Sequence, residues 1–255
     1  MKTIIKFVLL DLLRNKIILV YTLILFALSF SILNLDSNAT KGLLSLLNIT
    51  LLFVPIITIL FSTIYFFNSI EFIELLLSQP IKRKKVLMSE FSGLALSLSA
   101  AFAIGIGVPL FIFVPGMAAV ILLLCGILLT LIFTSLALLI FVKIKDKTKG
   151  IGIALITALF FTLLFDGFLL AFIYSFNEYP IDTIILGILA FNPIDLARVL
   201  MLLHLDVAVM MGYSGALFKK FMGSATGSIF SVVCLLFWIF VPLLFSVRLF
   251  KRKDL

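Results

Sequence analysis

The sequence predicts an all-α integral membrane protein with six transmembrane helices, and three observations carry that prediction. Of 255 residues, 64% are hydrophobic and 13% charged, whereas an ordinary soluble domain is about 45–50% apolar and about 25% charged. Mean hydropathy is +1.34, which excludes a disordered chain, because disorder requires low hydrophobicity. Stretches free of Asp, Glu, Lys and Arg, each long enough to cross about 30 Å of hydrocarbon, recur along the whole chain. The net charge of +8 would suggest nucleic acid in a soluble protein. Here the basic residues cluster at span ends, so they are read as orienting the chain in lipid and no nucleic-acid partner is assigned. Cys125 and Cys234 lie inside apolar runs without paired spacing, which argues against a disulfide framework.

Residues 1–16 place Lys2, Lys6 and Arg14 among Ile4, Ile5, Val8, Leu9 and Leu12, the pattern of an interfacial helix lying on the membrane surface. Asp11, Arg14 and Lys16 directly before the first apolar run argue that this segment is retained rather than cleaved as a signal peptide. The first span lies between Lys16 and Asp36. The second runs from Ser45 to Phe67, with Pro55 as a tolerated mid-helix kink. The uncharged run between Glu90 and Lys143 is too long for one crossing, and Pro115-Gly116 divides it into spans Phe91 to Val114 and Met117 to Val142. A fifth span covers Gly150 to about Ser175 and carries Asp166. The sixth covers roughly Gly227 to Val247. Between the last two, in the region 177–226, the apolar runs Thr183 to Ile194 and Val207 to Phe218 are too short to cross. They predict short interfacial or re-entrant helices on the outer side.

Charge sorting fixes the expected orientation. Sixteen of the 20 basic residues fall before span one, between spans two and three, between spans four and five, and after span six. The positive-inside rule makes that face cytoplasmic, with both termini on it, and points to a bacterial inner membrane.

Two segments carry most of the functional information. In the loop 68–90, Glu71, Glu74 and Ser78 form one stripe of a helix whose other faces carry Phe72, Ile73, Leu75, Leu76 and Leu77. Gln79 precedes Pro80, which stops that helix, and the cluster opening with Lys82 and Arg83 starts the next. A solvated connector does not need such an arrangement; a surface that docks another protein does. The string ELLLSQPIKRKKVLMSEFSG, Glu74 to Gly93, resembles the loop after the second span in membrane subunits of type 2 ABC exporters. The resemblance implies contact with a cytoplasmic ABC ATPase through Glu71, Glu74, Gln79, Pro80, Lys82 and Arg83, with Lys145 and Asp146 of the next basic loop. In this chain Glu71-Phe72 stands where the family's Gly-Thr usually precedes the acidic residue. The resemblance also implies a homodimer of one six-span domain over residues 1–255, with ATP and magnesium on the partner ATPase and no cofactor in this chain.

The second segment is FNPIDLARVLMLLHLD, Phe191 to Asp206. Asn192 suits a helix N-cap, Pro193 the first helical position and Asp195 the positive helix end, while Asp195 and Arg198 are i, i+3 partners. NPIDLARVL resembles the outer segment of the permease that serves copper-site maturation of nitrous oxide reductase. That resemblance implies that Asn192, Pro193, Asp195 and Arg198 face an outer partner, a periplasmic β-helical protein. Met201, His204, Met210, Met211 and Met222 are of the thioether and imidazole types that suit Cu(I). Methionine is also common in apolar packing, and a lone histidine is more often a hydrogen-bonded structural residue, so no metal site is assigned. Asp166, about 24 Å along its helix from Gly150, is placed near the outer interface and is expected to bond the outer loop.

The chain contains no G-x-x-x-x-G-K-[ST], so it has no phosphate-cradling loop of its own. With one histidine and no H-E-x-x-H or G-x-S-x-G, an enzyme is not expected. The function expected is that of a permease subunit driven by a separate ATPase, in copper-site maturation or, alternatively, in export of lipid or drug-like molecules. A secondary transporter is the rival class, although no second broken helix matches the one carrying Pro55. A purely structural membrane anchor is a third possibility.

Overall fold

The computed structural model describes residues 15–35, 39–176, 182–204 and 212–251, with Ile5, Val8, Leu9 and Leu12 ahead of them, side chains of 212–224 excepted. Every described element is a helix: α1 Lys16–Leu35, α2 Ala39–Asn68, α3 Ile70–Leu77, α4 Arg83–Phe113, α5 Met117–Lys143, α6 Lys147–Ser175, α7 Asp182–Leu189, α8 Pro193–Leu202 and α9 Gly212–Phe250. Six of them are long and apolar enough to cross a bilayer, and they coincide with the six expected spans. Lys2, Lys6, Arg14, Tyr179, Met210, Met211 and the side chain of Met222 lie outside the described residues.

Helix α5 forms the axis. Its sequence is apolar on all faces, and a helix apolar all round belongs in an interior. Thus Leu122, Cys125, Leu129, Phe133 and Phe141 are all buried, and α2, α4, α8 and α9 pack around them. Close approach is set by small residues, as is usual where lipid supplies no hydrophobic drive between helices. Gly126 of α5 receives the Phe102 ring of α4, and Gly150 at the start of α6 receives Phe67 of α2. Helix α1 lies outside α4, where Ser29 Oγ donates to the Gly105 carbonyl at 2.8 Å. That contact falls in a π-helical turn, Ala103–Gly107, inside α4. Val8 and Leu12 of the N-terminal segment are buried, Val8 against Gly93.

Two outcomes differ from the sequence expectation. Helix α9 is unbroken from Gly212, so residues 212–218 are the first turns of the last helix and not part of a separate short one. Its 39 residues measure about 58 Å, well beyond the hydrocarbon thickness. The second concerns Glu90, which the sequence places among the charges of the loop. It is wholly buried in α4 and accepts a hydrogen bond from Tyr65 Oη of α2 at 3.1 Å. The cause is that α4 begins at Arg83, so Glu90 stands two turns inside the helix.

Candidate functional site

At the end of the bundle that holds the basic loops, α3 lies across the ends of α2 and α4. Ile73 and Leu76 turn inward and are buried, while Glu71, Glu74, Leu75, Ser78, Gln79, Pro80, Lys82 and Arg83 are exposed. The amphipathic stripe read from sequence is therefore the solvent face. Alongside it, Lys147 Nζ donates to Asn68 Oδ1 at 2.7 Å, which ties the connection between α5 and α6 to the last residue of α2. Phe67 meets Phe141 edge to face, with centroids 5.4 Å apart, just beneath that tie. Lys145 and Asp146 are exposed next to it. Asp146 is also the N-cap of α6, its Oδ1 accepting from the Lys149 amide at 3.0 Å.

At the other end, α7 and α8 form a re-entrant hairpin. Its elbow is fixed by Trp238 of α9, whose Nε1 donates to the Ala190 carbonyl at 3.1 Å. Trp238 lies 10 residues before Arg248, the charge that closes the apolar part of α9, or about 15 Å along the helix. That depth is close to the middle of the bilayer. The aromatic floor of the elbow continues from Trp238 to Phe161 of α6, at 5.3 Å, and on to Phe133 of α5, at 6.3 Å. Trp238 and Phe161 are functional-site residues that sequence reasoning missed. The lone Trp near mid-span was the available signal, since indole normally favours the membrane surface.

Above this floor the polar residues of the NPIDLAR motif close on one another. Asn192 caps α8, its Oδ1 accepting from the Ile194 amide at 3.0 Å. Its Nδ2 donates to Asp195 Oδ2 at 2.9 Å and to the Phe161 carbonyl at 3.2 Å. Arg198 Nη1 bridges Asp195 Oδ1 at 2.9 Å and Asp166 Oδ2 at 3.2 Å. Asp166 thus bonds the segment between the last two spans, as expected. It stands 19 residues after Lys147 on α6, about 28 Å along the helix. A second π-helical turn, Phe160–Leu164, immediately precedes it; the added residue rotates the rest of α6, Asp166 included, by about 100°.

Most of this motif is enclosed within the chain. Asn192 and Pro193 are buried and Asp195 is only 3% exposed, because an N-cap and an acid removed from water must satisfy their polar atoms within protein. Arg198 alone is partly accessible, with 34% of its side chain exposed. Met201 is wholly buried, whereas His204 is exposed, its Nδ1 3.0 Å from the Leu200 carbonyl. The two do not present a common face. Among the described residues no three His, Cys, Asp or Glu side chains are placed to hold a metal ion.

These features define a polytopic helical membrane protein with an exposed amphipathic helix at one end and a helical hairpin at the other. A family model described as ABC-2 family transporter protein matches residues 3–255, and the chain belongs to that family. It is accordingly the membrane permease subunit of an ABC transporter, whose complex includes an ATPase subunit. No curated protein matches the sequence.

Proposed function

We propose that two copies of this chain form the permease of an ATP-driven complex in a bacterial inner membrane, with the basic end cytoplasmic. One ATPase docks on each copy, on α3 and the connection 143–147. The observation that carries this reading is the single platform those segments make: apolar residues of α3 turned in, Glu71, Glu74 and Gln79 turned out, and the two connections tied through Lys147 and Asn68. Closure of the ATPases moves α3 and the start of α6, and α6 carries the motion to the hairpin. The secondary-transporter alternative is set aside by the family.

The finer reading rests on the NPIDLARVL resemblance: work on the outer side in maturing the copper sites of nitrous oxide reductase, together with a periplasmic β-helical protein. Disrupting the gene in its host should then leave that enzyme without its copper centres, and an enzyme with full copper content would reject it. An apolar cleft of about 510 Å³, walled by Phe191, Val233, Phe237, Trp238 and Pro242, favours the second reading, export of a lipid or drug-like molecule.

Docking itself is tested with Glu74→Lys. The exposed charge contributes little to folding, so the permease should be produced normally while recovery of its ATPase on affinity purification falls about tenfold, the scale of one reversed interfacial charge. Full recovery with unchanged ATP turnover would reject α3 as the docking helix.

A further inference from the structure

The hydrogen bonds around Asn192 and Arg198 divide into two sets. Within the hairpin, Asn192 Nδ2 and Arg198 Nη1 each reach Asp195 at 2.9 Å, one on each carboxylate oxygen. Toward α6, the same two donor atoms reach the Phe161 carbonyl and Asp166, each at 3.2 Å. Both donors that bond α6 thus do so with the longer of two arms, each already having a partner inside the hairpin, while Asp195 itself also meets the Asp166 carboxyl. If α6 withdraws, neither donor is orphaned, Asp195 keeps both of its donors, and the contact it loses is one between two acids. The penalty that normally prevents a buried polar contact from opening, an unsatisfied group at depth, does not arise on the hairpin side.

Packing has the same asymmetry. The hairpin packs mainly on α9 and α5; its contact with α6 is smaller and divides between the π-helical turn, met by α8, and the stretch 165–175, met by α7. Helix α6 is also the least buried of the six spans, with 22% of its apolar window inside the protein. On the α6 side, Asp166 is one-third exposed, so on release it has access to surroundings other than protein. A contact satisfied in one partner whether open or closed, between a fixed element and a loosely held one, has the properties of a two-state element. Coupling across a membrane requires such an element.

We infer that the junction of Asp166 and Phe161 with Arg198 and Asn192 is a detachable joint through which α6 engages and releases the re-entrant hairpin once per ATPase cycle. Arg198 and Asp166 are its positioning residues. They hold the joined state and touch no transported molecule. The joint rests on the proposed docking of an ATPase at the start of α6, 19 residues before Asp166 on the same helix.

The test uses the complex purified with its ATPase, in a background with Cys125→Ala and Cys234→Ala. Asp166→Cys with Arg198→Cys should be bridged by a short bis-methanethiosulfonate reagent in the nucleotide-free complex. After trapping with ATP and vanadate the cross-linking rate should drop about tenfold, within the usual range of allosteric coupling. The cross-linked complex should turn over ATP more slowly than the same complex after reduction. A cross-linking rate unmoved by trapping, with equal turnover before and after reduction, overturns the joint. If the cysteine pair does not assemble, the charge exchange Asp166→Arg with Arg198→Asp replaces it. The exchange should restore at least half of the coupled ATP turnover that Arg198→Asp alone removes, and no restoration overturns the joint equally. Loss of the ATPase during purification of the parent complex would instead refute the docking reading on which the joint rests.

Discussion

Arg198→Ala is expected to cost about 3 kcal/mol, the lower end for removing one partner of a buried ion pair. The lower end applies because Arg198 is itself one-third exposed, so part of its charge is already screened. What remains is a carboxylate that is 4% exposed, with Asn192 as its one remaining hydrogen-bond donor. Asp195 then escapes the penalty chiefly by taking a proton, so the loss should be greatest at high pH and smallest near pH 5. Arg198→Lys should recover little, since a single ammonium lacks the planar fork of guanidinium. Arg198→Ala combined with Asp195→Asn should recover most of the loss, because the second change removes the orphaned charge. The measurement is the thermal midpoint of the purified permease across pH. A midpoint within about 1 °C of the parent at every pH would show that the pair contributes nothing measurable, as many exposed pairs do.

The Arg198 pair separates what was legible in the sequence from what was not. Chain crossings were legible because hydrocarbon imposes a charge-free length; each expected span became one helix, and the run between Glu90 and Lys143 divided at Pro115-Gly116 as its length requires. Asn192 as a cap, Pro193 after it and the Asp195–Arg198 pair were legible because they depend on residues within four positions of one another. Depth was not legible. NPIDLAR reads the same on a membrane surface as at mid-bilayer, and the difference lies in the Trp238 bond to Ala190, across 48 residues. The π-helical turns at Ala103–Gly107 and Phe160–Leu164 have no local composition that separates them from α-helix, so the side on which Asp166 emerges could not be read. Glu90 was misplaced for a related reason: a helix opening at the basic cluster was expected, but the packing that draws the carboxyl inside is against Tyr65, 25 residues away in another helix.

The same distinction explains why the two ends of the molecule differ as candidate sites. The end proposed for docking consists of exposed residues with few bonds, so a partner could bind there without first breaking the fold. Asp146 is the exception, since it also caps α6. A change there reports on helix α6 as well as on any ATPase contact, and it should be interpreted only beside Lys145, which caps nothing. The hairpin end is built in the opposite way, with every motif residue occupied within the chain. Substitutions in it act first on folding and on the attachment of α6.

Gly126→Val should be the most disruptive change outside the polar network. Helices α4 and α5 approach at this glycine, and a Cβ there would coincide with the ring of Phe102, itself wholly buried. The ring is clamped between the two helices and cannot rotate away as a long flexible side chain would. Overpacking in a close-packed interior costs about 1–3 kcal/mol and sometimes more, and valine adds a branched group where even a methyl has no room. Folded permease recovered from membranes should drop severalfold, and the thermal midpoint of what remains should fall. Gly152→Val and Gly167→Val are the controls: both sites are within helix α6 and have open space around the position of a Cβ, so the helical setting and the residue types are matched while the neighbour is absent. Phe102→Ala in the Gly126→Val chain should recover part of the yield by vacating the volume that the valine needs. If Gly126→Val alone is as stable as the two controls, α4 and α5 do not approach as closely as the glycine allows, and the axis of the bundle is drawn too tight.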